Sequence, residues 1–206
     1  LPEARPTLAE YGLLRVASHS GATSQAPVRA MIGDQQAALF GYDCRSVGDA
    51  ECTHGTASFI NVFTGGSQPE HKYLNVYYAW HLGELPWQVG RAGAKAATGQ
   101  TCCLEADTTV TGAALRWMSE SAQILNGEKE VDLLAAATPD SGGVTFIPAF
   151  TGLNVPYDDP RARGTLLGLT LGTSRGHIAR AFLDSIGFQL RAILERIRLD
   201  TGLAVD

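Results

Sequence analysis

The chain has 206 residues, 45% of them apolar and 18% charged, enough to bury one substantial core or the parts of two, which excludes a disordered or fibrous protein. A formal net charge of −5 offers no basic field for a polyphosphate backbone, so no nucleic acid partner is expected and an anionic nucleotide would need local donors. No apolar run approaches the roughly 20 residues that cross a bilayer, and no basic-then-apolar leader opens the sequence, so the expectation is a cytoplasmic protein with no membrane partner.

Residues 1–30 are rich in Pro, Ser, Gly and Ala and predict connecting loop with at most one strand. From Val28 the pattern sharpens into a short apolar run to Ile32, the turn Gly33-Asp34, and a helix-forming stretch through Phe40, with Asp34 placed to cap the helix. Between Asp49 and Phe63 two strands are expected around a tight turn at Gly55-Thr56. Residues 73–89 are β-branched and aromatic and predict another hairpin, turning at Gly83-Glu84. Residues 90–101 lack large apolar side chains and predict a surface loop; Lys95 lies there among glycines, but without the GK[ST] tail of a nucleotide loop.

Helical spacing returns at Thr109–Ile124, where Trp117 is expected in the core, and at Val131–Thr138, with Gly127 as the stop between them. A short apolar run follows at Val144–Phe150, then a turn-rich loop from Gly152 to Gly164 and a strand at Thr165–Leu169. The last helix, Gly176–Leu199, repeats its apolar residues by threes and fours along one face. After it, Gly202-Leu203-Ala204-Val205 reads as a turn entering a strand, and the chain opens on Leu1 rather than methionine, so both ends look cut through structure. Strands in hairpins among packed helices indicate an α/β fold. The four cysteines (Cys44, Cys52, Cys102, Cys103) match neither a zinc pair nor a disulfide framework and read as reduced structural thiols; the five histidines are scattered, and His54 beside the Gly55 turn reads as a polar loop residue.

Three stretches together carry a resemblance. They are Gly33-Asp34-Gln35-Gln36-Ala37-Ala38-Leu39-Phe40-Gly41, His54-Gly55-Thr56-Ala57-Ser58-Phe59, and Phe146-Ile147-Pro148-Ala149-Phe150-Thr151-Gly152-Leu153 continuing through Ala162-Arg163-Gly164. In this order and spacing they resemble the FGGY family of carbohydrate kinases, and within it the glycerol kinases most closely. The resemblance implies an actin-like ATPase architecture of ribonuclease-H-like domains with a mixed sheet and packed helices. Residues 1–45 would close the first domain and residues 46–206 would form most of the second, with 90–101 as an inserted loop.

The resemblance also assigns roles. Asp34 would be the catalytic base that takes the proton of the attacking hydroxyl, a task a carboxylate can do where the proton moves late; by its own chemistry it could equally be a helix cap. Gln35 and Phe59 would contact the polyol, the first by hydrogen bonding and the second by packing, beside the alternatives of an exposed first-turn residue and a core ring. Gly55 and Thr56 would cradle phosphate, glycine allowing close approach and threonine adding a hydroxyl donor; an ordinary hairpin turn is the other reading. Gly112 and Arg116 would lie near the nucleotide, although Arg116 stands where the family has glutamine and could be a solvated helix residue.

ATP and Mg²⁺ are the implied cofactors and a small polyol the partner, with a homo-oligomer left open. No residue is assigned to metal. The loop from Tyr157 to Arg163 carries Asp158, Asp159, Arg161 and Arg163 and is expected to be structural, with Arg163 paired to a carboxylate. The family's amino-terminal phosphate motif and most polyol-binding residues would lie upstream of Leu1 and its adenosine-holding glycines beyond Asp206, so the chain alone is expected to be inactive. The alternatives are a pentulose or other sugar kinase, and a non-catalytic module that keeps the fold.

Overall fold

The computed structural model describes residues 3–19, 21–67, 71–82 and 99–205. It begins with an antiparallel ribbon of β1 (Leu8–Ala17) and β2 (Thr23–Ala30), in which Leu8 faces Ala30 and Ala17 faces Thr23. The sequence predicts loop and at most one strand here. The ribbon is held by its backbone ladder while Leu13, Leu14 and Val16 stay exposed, so no alternation of buried and exposed side chains marks it.

Helix α1 (Asp34–Gly41) follows. Its N-cap is Gly33, in extended conformation, with no side-chain cap bond; Asp34 is the first helical residue. The expected cap is therefore not made by Asp34, whose Oδ1 accepts instead from the adjacent Gln35 amide at 2.9 Å.

The central sheet contains β3 (Ala50–His54), β4 (Ser58–Gly65), β5 (Asn75–His81) and β6 (Gln100–Asp107) in the order β3-β4-β6-β5, and every neighbouring pair is antiparallel. The turn expected at Gly83-Glu84 and residues 90–98 of the expected loop lie outside the described residues. Gln100 and Thr101 do not belong to that loop: they begin β6, and Thr101 is buried with its hydroxyl donating to Trp80 O at 2.9 Å. A hydroxyl that satisfies a neighbouring strand leaves no apolar signal in the sequence.

Register assigns the two faces. Glu51 faces Asn61, Thr53 faces Phe59, Asn61 faces Glu105 and Phe59 faces Asp107, so the two-residue period puts all six on one side. Ile60, Val62, Leu104 and Ala106 point to the other. Helix α1 covers the first face through a core of Leu39, Phe63, Trp80 and Cys103, with Phe63 stacked on Trp80 at 5.0 Å and Phe40 edge-on to it at 5.2 Å. The long helix α4 (Arg175–Thr201) covers the second with Ile193 and Ile197, both fully buried and each contributing about 1.5–3 kcal/mol of apolar burial.

After the sheet come α2 (Gly112–Arg116), which widens into one π turn over Trp117–Ser121, then α3 (Glu128–Ala137) and the small antiparallel pair β7 (Thr145–Ile147) and β8 (Thr165–Leu167). Trp117 is not core as expected. It is 38% exposed, its ring 4.8 Å from that of Phe150, and the next residue, Met118, takes the inward position at the π turn.

Helix α4 opens with a capping box: Ser174 Oγ accepts from the His177 amide at 3.3 Å, and His177 Nδ1 accepts from the Ser174 amide at 3.1 Å. It ends at Gly202, in left-handed conformation with φ 70°. Leu203 to Val205 form no strand; they pass so close to Gly48 that a Cβ there would lie 2.2 Å from Ala204 O. All four cysteines are free thiols, and burial pushes Cys103 up to about 12 and Cys44 and Cys52 upward, which keeps them protonated.

Candidate functional site

The β3–β4 hairpin turn is fastened to the start of α2 by main-chain bonds. The amides of Thr111 and Ala113 donate to Thr56 O at 2.9 and 3.1 Å, and that of Gly112 to Gly55 O at 2.9 Å. Only glycine fits at 112, since a Cβ would lie 2.5 Å from Gly55 O. Below the turn runs a chain of hydroxyls. His54 Nδ1 lies 2.8 Å from Ser58 Oγ, Ser58 Oγ lies 2.6 Å from Thr111 Oγ1, and Thr111 Oγ1 lies 3.0 Å from Thr108 Oγ1, which also accepts from the Ser58 amide at 3.1 Å. These bonds satisfy three buried hydroxyls and hold the hairpin against α2 from both ends.

A cavity of about 540 Å³ opens beside this junction, lined by Gly55, Thr56, Gly112 and Arg116 at one end and by α3 and α4 residues such as Val131 and Phe182 at the other. The structure thus gathers all four residues expected at the nucleotide. It also distinguishes among them. The Gly112 amide is committed to Gly55 O, whereas the Thr56 hydroxyl has no partner among the described residues and Arg116 is exposed at the rim. What this end can offer an anion is a close glycine backbone, one free hydroxyl and one guanidinium.

The residues expected at the polyol lie toward the opposite face of the hairpin. Asp34, exposed at the first turn of α1, and Gln35 beside it stand over the sheet face that carries Phe59 and Asn61. Asn61, fully buried, donates through Nδ2 to Gln35 Oε1 at 3.2 Å and to Glu51 Oε1 at 2.6 Å. Glu51 Oε2 accepts from Thr53 Oγ1 at 2.9 Å, and Asp107 accepts from Asn154 Nδ2 at 3.0 and 3.2 Å. Four carboxylates therefore share this side. Burial, followed by the charges of Asp107, Asp34 and Glu51, raises the Glu105 carboxyl above the usual range.

Several of these residues are not marked by sequence reasoning. Ser58, Thr108 and Thr111 resemble ordinary turn and strand hydroxyls, and His54 is more than the polar loop residue expected, since it terminates the hydroxyl chain. Asn61 and Glu105 do leave a trace, as polar residues inside the runs FINVF and CCLEA. In the loop from Tyr157 to Arg163 the expected pairing of Arg163 is corrected. Its Nη1 donates to the carbonyls of Ala162 and Pro160 at 2.8 and 3.2 Å, and it is Arg161 that approaches Asp159, at 3.9 Å. Main-chain carbonyls exposed by the tight turn outcompete a distant carboxylate.

The hairpin thus carries a Gly-Thr turn at a cavity on one side and lies beside a carboxylate at a helix start on the other. The family model for the C-terminal domain of the FGGY family of carbohydrate kinases matches residues 50–206, and the chain belongs to that family. Glycerol kinase 2 of Sulfolobus acidocaldarius is 38% identical over 206 residues, all of this chain and 38% of that protein. The crystal structure of Plasmodium falciparum glycerol kinase with ADP superposes with a TM-score of 0.79 at 27% identity, covering 99% of this chain and 38% of that one. Xylulose kinase from Rhodospirillum rubrum, at a TM-score of 0.70 and 23% identity over 100% of this chain and 39% of its own, shows the same actin-like α/β fold. The chain spans about 38% of the length of the curated relatives it matches.

Proposed function

We propose that the protein to which this chain belongs transfers the γ-phosphoryl group of ATP to a hydroxyl of glycerol or a similar small polyol. The observation that supports this most directly is the placement of two chemistries on one hairpin. The Gly55-Thr56 turn faces the 540 Å³ cavity, and the opposite face of the same strands carries Phe59 and Asn61, the latter bonded to Gln35 at the start of α1. Identity of 38% to a glycerol kinase across the whole chain favours a polyol over a larger sugar.

In this reading Asp34 receives the proton of the attacking hydroxyl. Its Oδ1 is held by the Gln35 amide, which orients the carboxylate at the helix start. Gln35 bonds the polyol and Phe59 packs on its carbons. Thr56 donates to phosphate, Gly55 lets the phosphate approach the backbone, Gly112 seats α2 against the turn, and Arg116 screens charge at the rim. Mg²⁺ would accompany ATP and neutralise phosphate charge. Among the described residues no three His, Cys, Asp or Glu side chains are placed to hold a metal ion, so in this reading the ion would take phosphates and waters as most of its ligands.

The division at residue 45 belongs to the same proposal, residues 1–45 closing one domain and 46–206 forming the next, with α1 of the first packed on the sheet of the second. A cytoplasmic location accords with small soluble substrates, and no described helix is long and apolar enough to cross a membrane.

The test is the full-length protein with ATP and a panel of glycerol, other short polyols and pentuloses, following ADP release, alongside Asp34→Asn. Turnover should be highest with a short polyol and should fall by about 10²–10⁴-fold in the variant with ATP affinity kept. Preference for a pentulose would move the substrate class. Unchanged turnover in the variant would remove Asp34 as the base, and no transfer to any acceptor would favour a non-catalytic module.

A further inference from the structure

We propose that Asn61 and Glu51 are positioning residues that fix the amide of Gln35 in one orientation, oxygen inward and N–H groups outward, and so make Gln35 a hydrogen-bond donor to the substrate. The inference rests on the polyol reading of Gln35 and adds the polarity of its contact.

Glu51 is a buried side chain, 6% exposed, with Oε2 taken by the Thr53 hydroxyl and Oε1 facing Asn61 at 2.6 Å. A carboxylate oxygen at that distance requires a donor, so the atom of Asn61 that meets it is nitrogen. The alternative rotation of the Asn61 amide would set oxygen against oxygen. With Nδ2 fixed, its second N–H reaches Gln35 Oε1 at 3.2 Å, and both Asn61 donors are committed. Asn61 Oδ1 is left buried with no partner, so the hydrogen bonds of this amide are decided by its nitrogen alone.

The consequence passes to Gln35. Its acceptor atom is occupied by Asn61, and its Nε2 has no partner among the described residues, so the half-buried side chain presents N–H groups at its free end. A donor there accepts any substrate oxygen with a lone pair, whether hydroxyl or carbonyl. An amide turned the other way would present Oε1, which needs a substrate that can donate. The orientation of one buried amide therefore decides whether an acceptor-only oxygen is tolerated.

The test exchanges the two polar groups without changing volume or net charge. In the double variant Glu51→Gln with Asn61→Asp, the new glutamine at 51 donates to the new carboxylate at 61 and still accepts from Thr53, and the carboxylate at 61 now requires a donor from Gln35, turning its amide over. Full-length wild type and double variant would be compared with glycerol and with two acceptor-only analogues, dihydroxyacetone at the second carbon and 3-fluoro-1,2-propanediol at the third.

The expected result is a fall of about 10- to 100-fold in kcat/KM for one analogue relative to glycerol, with KM for ATP unchanged. Equal loss on all three acceptors, or no change in any ratio, would overturn the proposal. Asn61→Leu is the second variant, chosen because it removes the relay without placing a new charge; it should release the Gln35 amide to rotate and raise KM for glycerol with kcat less affected. An unchanged KM there would also overturn it. Wild-type turnover on glycerol keeps the two readings apart: its absence defeats the polyol function, while its presence with unaltered ratios defeats only the relay.

Discussion

The two sides of the β3–β4 hairpin hold functional groups in different ways. On the α2 side, the turn is held by main-chain bonds from Thr111, Gly112 and Ala113 and by a glycine with no room for a side chain, with a hydroxyl chain beneath. On the α1 side, Gln35 is held by one buried amide, which is itself held by one buried carboxylate. Backbone contacts of the first kind resist most side-chain changes but fail to a single added methyl. Side-chain networks of the second kind tolerate changes of shape at the rim and fail when polarity is altered. In the proposed function a phosphate would need a cradle of constant geometry and a small polyol donors and acceptors of the correct sense, and the two kinds of support match those two demands.

Gly112→Ala should have the largest effect. The added Cβ would lie 2.5 Å from Gly55 O, a backbone atom that cannot rotate aside, so α2 must separate from the turn. Urea titration of the full-length protein should show a loss of about 1–3 kcal/mol, and calorimetry should show ATP binding weakened by at least about tenfold with the KM for polyol nearly unchanged. Equal damage to polyol binding would mean that the two sides are not separately supported.

Thr111→Val is gentler. It removes the middle of the hydroxyl chain, yet Ser58 keeps His54 and Thr108 keeps the Ser58 amide as partners. A destabilisation of about 1 kcal/mol is expected, with a modest rise in the KM for ATP only. A KM change confined to the polyol would break the comparison.

Glu105→Gln should have the smallest effect and the opposite sign. Burial and the neighbouring Asp107, Asp34 and Glu51 raise the Glu105 carboxyl in the folded chain, so the folded state holds its proton more tightly than the unfolded one. The stability this contributes is present below the unfolded carboxyl range and is lost as pH rises through the folded value. The variant should therefore melt slightly higher than wild type at neutral pH, and the gap should narrow on acidification and close by about pH 3, below the ordinary glutamate range. A gap that widens in acid would show that Glu105 is stabilised as the carboxylate.

Much of this was legible in the residues themselves. Local signals located α1 after Gly33, the β3–β4 turn at Gly55-Thr56, and the apolar face of α4, because each depends on neighbours in sequence: a turn glycine, a helix-forming run, a repeat by threes and fours. The ribbon β1–β2 was not legible, since it buries few side chains and its stability lies in backbone pairing. The start of β6 at Gln100 was hidden for a related reason, as Thr101 earns its burial through a hydroxyl bond to Trp80 rather than through hydrophobicity.

By itself the sequence determined the family, through its motifs, and the positions of the residues proposed for the site: Asp34, Gln35, Gly55, Thr56, Phe59, Gly112 and Arg116. Only the tertiary structure decided how they divide between the two faces of one hairpin, that the Gly112 amide serves the turn rather than a ligand, and that Glu51 reaches Gln35 through Asn61. The physical reason is that strand register and amide orientation are settled between residues distant in sequence, Asn61 and Gln35 being 26 positions apart, where no local pattern can record them.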